Sequence, residues 1–216
     1  MNKYLVMSLL CLCGCTVQAQ DKEKEIGKRD SQAVVSLRQE AIGKNNRAVQ
    51  TVMNSLGNPD SLRYALTLLD EAIALDSTYE QAYANKITYL KQLHRPKEAL
   101  LVARQMMRMS PGSPYQVLGY ALLEESVGDK TVSVKYYNEA LQLFDRRLKD
   151  NPNDFPLQLN RAFTLYFAKG KETALESMQQ LIRDSQDDER KYSGLQDLYD
   201  MLKSSTREEI VKSISQ

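Results

Sequence analysis

Small and apolar residues recur along this chain at helical spacing, with polar residues between them. The segment Ala65-Leu-Thr-Leu-Leu69-Asp-Glu-Ala72-Ile-Ala-Leu75 sets the pattern, and the same offsets return over 99–109 and 133–143. Ala65, Ala99 and Ser133 therefore stand 34 residues apart. A fourth copy starts at Ala174, 41 residues after Ser133. The seven extra residues amount to about two turns of α-helix, and they are expected at the end of the preceding helix, around 144–150. A small residue at such a repeat marks a close crossing of two helices, and larger residues three and four positions away fill the gaps beside it. One helix pair cannot bury its apolar stripe alone, so the units must stack on neighbours.

Together with this period, the capping residues predict helices over 31–56, 60–75, 78–93, 96–109, 114–127, 130–150, 155–168, 171–184, 189–203 and 206–214. Gly43-Lys-Asn-Asn46 is the weakest stretch of the first. Gly57-Asn-Pro-Asp60 reads as a turn. Ser77-Thr-Tyr-Glu80 and Ser113-Pro-Tyr-Gln116 have the form of capping boxes, with Pro114 favourable at a first helical position. Gly128-Asp129 reads as a stop followed by an N-cap, Asp154 as a further cap, and Ser205-Thr-Arg-Glu208 as the start of a last short helix. Asp187-Asp188-Glu189 lacks the ligand spacing of a calcium loop and suits a helix N-terminus.

Thirty-four residues is also the period of the tetratricopeptide repeat, and the chain resembles that family over about residues 46–188. The best copy, 80–113, has Tyr83, Leu90, Ala99 and Pro111 at signature places. Copy 114–147 has Val117, Ala121, Ser133, Tyr137 and Ala140; copy 46–79 has Val49, Leu56, Ala65, Leu69 and Ala72; copy 155–188 has Ala162, Leu165, Ala174 and Met178. The family's tryptophan is missing, Ala103 replaces a bulky residue, and Ser77 stands where Pro111 stands one repeat later. The resemblance implies an all-α fold: antiparallel helix pairs over 31–188 stacked as an α-α superhelix, a solenoid closed by capping helices within 189–216.

By the same resemblance, the first helix of each pair lines a concave face. That face takes Lys91 and Gln92 from one copy, Tyr115, Leu118, Leu122 and Glu125 from the next, and Leu159, Phe163 and Tyr166 from the third. It runs from polar to apolar and aromatic. An open face would make Leu118, Leu122, Phe163 and Tyr166 an interaction patch, whereas folding of 189–203 and 206–214 across it would bury them. Some family members clamp terminal carboxylates of a peptide; Asn54 and Asn85 match that pattern here, but Gln50, Tyr115 and Gly119 occupy its basic places.

The first residues change the compartment. Lys3 followed by an apolar run to Leu12, then Val17-Gln18-Ala19, has the form of a secretory signal over 1–19. Leu12-Cys13-Gly14-Cys15 also resembles a bacterial lipobox, in which Cys15 would carry the lipid. Either processing leads to the envelope: periplasmic or membrane-anchored, with residues 20–30 as a charged linker. All three cysteines (Cys11, Cys13, Cys15) lie at this end, so the domain beyond has no internal disulfide to rely on. Apart from Lys3, 28 basic side chains face 28 acidic ones. That balance offers no field for nucleic acid, and the membrane enters only through an anchor at Cys15.

Candidate chemistry is sparse. His94, the single histidine, falls in a turn between two helices. Without cysteines beside it, it cannot complete a typical zinc site, nor serve a Ser-His-Asp set. No glycine-rich phosphate loop is present. Glu124-Glu125 and Asp70-Glu71 are neighbours on helices and point about 100° apart, so neither pair faces one substrate. Tyr136, Tyr137, Tyr192 and Tyr199 fit either core packing or sugar stacking. The expectation is a non-catalytic envelope adaptor without cofactor or metal that holds a protein or peptide; a glycan- or cell-wall-binding module is the alternative.

Overall fold

The computed structural model describes residues 28–55 and 58–215. The signal, Cys15 and the linker up to residue 27 lie outside the described residues. The described chain is all-α, without strands, and forms two compact units that meet in sequence between Met109 and Ser110.

The first unit holds α1 (Lys28–Asn54), α2 (Pro59–Leu75), α3 (Glu80–Gln92) and α4 (Pro96–Met109). The second holds α5 (Pro114–Val127), α6 (Lys130–Asp150), α7 (Phe155–Lys169), α8 (Lys171–Asp184), α9 (Glu189–Ser204) and α10 (Arg207–Ser215). Short connections fold each helix back on its predecessor, so α1 to α4 pack in adjacent pairs, as do α5 to α9, while α10 returns to pack on α5. This is the repeat-like architecture that the periodicity predicts.

The small residues explain the close crossings. Ala65, Ala99, Ser133 and Ala174 are all completely buried on the second helix of their pairs. Four positions on, Leu69, Tyr137 and Met178 are completely buried as well, and Ala103 nearly so. At 21 residues, α6 is seven longer than α4, which accounts for the longer step before the fourth copy. Phe144, completely buried, lies in that extension and meets the edge of the Tyr115 ring at 5.3 Å.

Helix ends follow local chemistry, with three departures from expectation. Asn58 caps α2 by accepting from the Asp60 amide at 2.8 Å, Asp129 caps α6 through the Thr131 amide, and Asp154 caps α7 through the Leu157 amide. At α3, however, Tyr79 occupies the cap position and makes no cap bond; Asp76, three residues earlier, binds the Thr78 amide and hydroxyl instead. Ser113 stands at the cap of α5 ahead of Pro114, but its hydroxyl makes no cap bond. At α10 the capping box is shifted by one residue. Thr206 and Glu209 bond reciprocally, because Ser205 is already the C-cap of α9 through its amide to Met201. Glu209 is correspondingly held below the usual carboxylate range by its bonds to Thr206. The stretch Gly43–Asn46 does not interrupt α1.

Three cross-helix ion pairs are peripheral. Lys44 meets Glu71, Lys86 meets Asp70, and Arg161 meets Asp145, all at partly exposed positions. Solvent screens such pairs, so they add little; the buried apolar stripes hold the units together.

Candidate binding faces

In the first unit, the inner faces of α1 and α3 meet through side-chain amides. The Asn85 amide donates to the Asn45 carbonyl at 2.7 Å, and Gln81 donates to Asn85 at 3.3 Å. Asn45 is buried, whereas Gln81, Ala84, Asn85, Thr88 and Lys91 are half-buried and Gln92 is exposed. The other face of α3 sends Ala82, Tyr83, Tyr89 and Leu90 into the core. Tyr83 is tied there: its hydroxyl donates to the Ser77 carbonyl and accepts from Gln105, both at 3.1 Å. Burial, helped by the charge of Asp76, raises its pKa. The expected Lys91 and Gln92 thus border a polar, half-open surface.

The second unit is different. Leu118, Leu122, Leu159, Phe163 and Tyr166, expected as a concave face, are buried. Of that set, Tyr115 is half-buried and Glu125 is engaged by Arg207. Six successive residues, Ala162 to Phe167, are buried, so α7 is covered on every side. The arrangement is the covered one, and the apolar patch is not an open surface.

An ion pair closes this region. The Arg207 guanidinium donates twice to the Glu125 carboxylate, once at 3.0 Å, and once to the Phe167 carbonyl at 3.0 Å. It also lies 5.1 Å from the Phe167 ring centre and 5.6 Å from that of Tyr137. Burial opposes its charge, but the bonds and charge of Glu125 prevail and hold the guanidinium above its ordinary value. Beside it, the Tyr166 hydroxyl donates to the Ser205 carbonyl at 3.3 Å, and Lys171 donates to the Lys203 carbonyl at 2.6 Å. The Tyr137 hydroxyl is buried and makes no hydrogen bond of ordinary geometry.

Glu124 and Glu125 go to different partners, as their angular separation requires. Glu124 accepts from the Tyr120 hydroxyl and, at 3.1 Å, from the Asp129 amide. Among the described residues, no group of three or more His, Cys, Asp or Glu side chains could hold a metal ion. His94 is exposed in its turn with φ of 56°. The tyrosines are mainly packing residues: Tyr136 meets the edge of Tyr120 at 4.8 Å, Tyr137 stacks on Phe167 at 4.9 Å, and Tyr199 accepts from Gln179. Only Tyr192 of this group is exposed.

Arg207 and Ser205 were not among the residues expected to matter. The available signal was the spacing of Arg207 to Ile210, Val211 and Ile214, which places all four on one face of a helix. No helix among the described residues is long and apolar enough to cross a membrane. No known family model matches the chain, and no curated protein matches it either.

Proposed function

We propose that this protein is a non-catalytic adaptor of tetratricopeptide-repeat type, exported to the cell envelope, that binds an extended protein or peptide segment. The binding face is the inner surface of α1 and α3. One observation carries the reading: α3 commits one face to the core and presents half-exposed amides, the Thr88 hydroxyl and Lys91 on the other, groups that bond within the chain and would exchange those bonds for a ligand's. Side-chain amides both donate and accept, so they suit the unpaired backbone groups of an extended chain. The 34-residue period and the form of residues 1–19 support the family type and the export.

The test is photocrosslinking from position 92 in envelope extracts, compared between the parent chain and a Thr88→Arg variant that fills the face. The expected result is an adduct with one protein, lost in the variant while the far-UV circular dichroism is unchanged. Adducts that persist in Thr88→Arg would reject this face. Heat released on titration with cell-wall fragments, unchanged by Thr88→Arg, would favour a glycan module elsewhere on the chain.

A further inference from the structure

α10 is nine residues long. Helices this short have little stability of their own in water, so its order comes from docking. Its docking face is simple. Ile210, Val211 and Ile214 are buried, and Arg207 anchors the first turn. The receiving surface is equally defined. α5, on which α10 packs, carries Glu125; α7 carries Phe167, whose carbonyl and ring both meet Arg207; α6 carries Tyr137, whose ring also faces the guanidinium. Only 7% of the Glu125 side chain is exposed, and its partner lies 82 residues away in sequence. A nearly buried carboxylate whose partner cation is faced by the Phe167 and Tyr137 rings asks for a planar cation rather than a compact ammonium. The apolar part asks for aliphatic side chains three, four and seven positions further along a helix.

We propose that the surface of α5, α6 and α7 under α10 is a helix-binding groove that the chain occupies with its own α10. The partner it admits in exchange is an amphipathic helix with an arginine in its first turn and aliphatic residues at the third, fourth and seventh positions after it. The capping box of Thr206 and Glu209 lies wholly within the α10 segment, so α10 can leave the groove without giving up its own cap bonds, its helix melting once undocked. While docked it competes with any partner at the high effective concentration of a tethered ligand, so apparent affinity falls by the fraction of chains that are open. This site is separate from the α1/α3 face, and either can fail without the other.

The probe is a fluorescent peptide with the sequence of residues 205–216, titrated into the full chain and into a full-length Ile210→Ser/Ile214→Ser variant, with anisotropy as the readout. The expected result is binding to the variant at least roughly tenfold tighter than to the parent. Alanine in place of the peptide's arginine, or Glu125→Gln in the opened chain, should each weaken binding by roughly tenfold or more. Equal binding to parent and variant, or no effect of the arginine, would overturn the proposal. So would dimerisation of the opened chain in place of peptide binding, since the occupant would then be a second copy. Should the variant not fold, hydrogen exchange on the parent decides. Amides of 210–214 are expected to exchange about a hundredfold faster than those of α5 and α7; exchange at the same rate as α5 would mean that α10 is fixed core and the groove does not exist.

Discussion

Replacing Gly128 by alanine tests whether Glu124 is held as tightly as its surroundings imply. A Cβ at position 128 would overlap the Glu124 carboxylate and lie 3.1 Å from the Glu124 carbonyl oxygen. The carboxylate would have to leave the Tyr120 hydroxyl and the Asp129 amide. Leaving a buried hydrogen-bonding group unsatisfied costs about 1–3 kcal/mol. The Asp129 end is exposed and water recovers part of its loss, so Gly128→Ala should destabilise the second unit by about 2–3 kcal/mol. In a Glu124→Ala background there is no carboxylate to displace, and the same substitution should cost at most about 1 kcal/mol. Urea unfolding of the four chains at neutral pH, followed by far-UV circular dichroism, measures the cycle; the slopes must agree for the comparison to hold. Costs that add to within about 0.5 kcal/mol would show that Glu124 is not what limits residue 128.

Two further substitutions bear on the turns and the crossings. His94 adopts φ of 56° where α3 ends, with the Arg95 amide returning to the Leu90 carbonyl at 2.8 Å; His94→Gly should therefore raise stability by about 0.5–1 kcal/mol in urea unfolding. Ala99→Leu, at a completely buried crossing, should cost about 1–3 kcal/mol, whereas Leu101→Ala, on the exposed side of the same helix, should change stability by less than about 0.5 kcal/mol; equal effects in thermal melts would mean that the crossing is not close-packed.

Much of the fold can be read from spacing because a helix repeats its face every few residues. Ala65, Ala99, Ser133 and Ala174 share a phase, and each is completely buried. The added length of α6 follows from the step to Ala174 alone. Caps were less legible. Ser77 and Ser205 have suitable neighbours, but Asp76 offers a carboxylate one position earlier, and Ser205 is needed to finish α9. The candidate face was harder still. An apolar stripe such as Leu118, Leu122 and Phe163 looks the same whether it lines a groove or meets a covering helix. What decides is the pairing of Glu125 with Arg207 across 82 positions, and no local pattern encodes a contact that distant. On the α3 side, the expected Lys91 and Gln92 lie at a half-buried and an exposed position.

Tyr137 joins the packing to a pH dependence. Burial, reinforced by Glu125 and opposed by the Arg207 charge, raises its phenol above the ordinary 10.0. Burial raises Tyr166 of the same unit as well. A group whose folded pKa is raised binds its proton more tightly in the folded state. Its contribution is complete below the unfolded value and is lost as pH climbs above it, so the unit should weaken from about pH 10 upward, by up to about 1.4 kcal/mol per pH unit for each such tyrosine. Tyr137→Phe should remove one proton's share of that slope. It keeps the ring stacked on Phe167 and facing Arg207. Because the lost hydroxyl makes no hydrogen bond of ordinary geometry, Glu125 being near it but not aligned, the variant should be as stable as the parent at neutral pH, or about 1 kcal/mol more so. Urea midpoints taken between roughly pH 7 and pH 11 read both effects. A variant that loses more than about 1 kcal/mol at neutral pH and keeps the parent's alkaline slope would mean that the Tyr137 hydroxyl is bonded, with Glu125 as its acceptor.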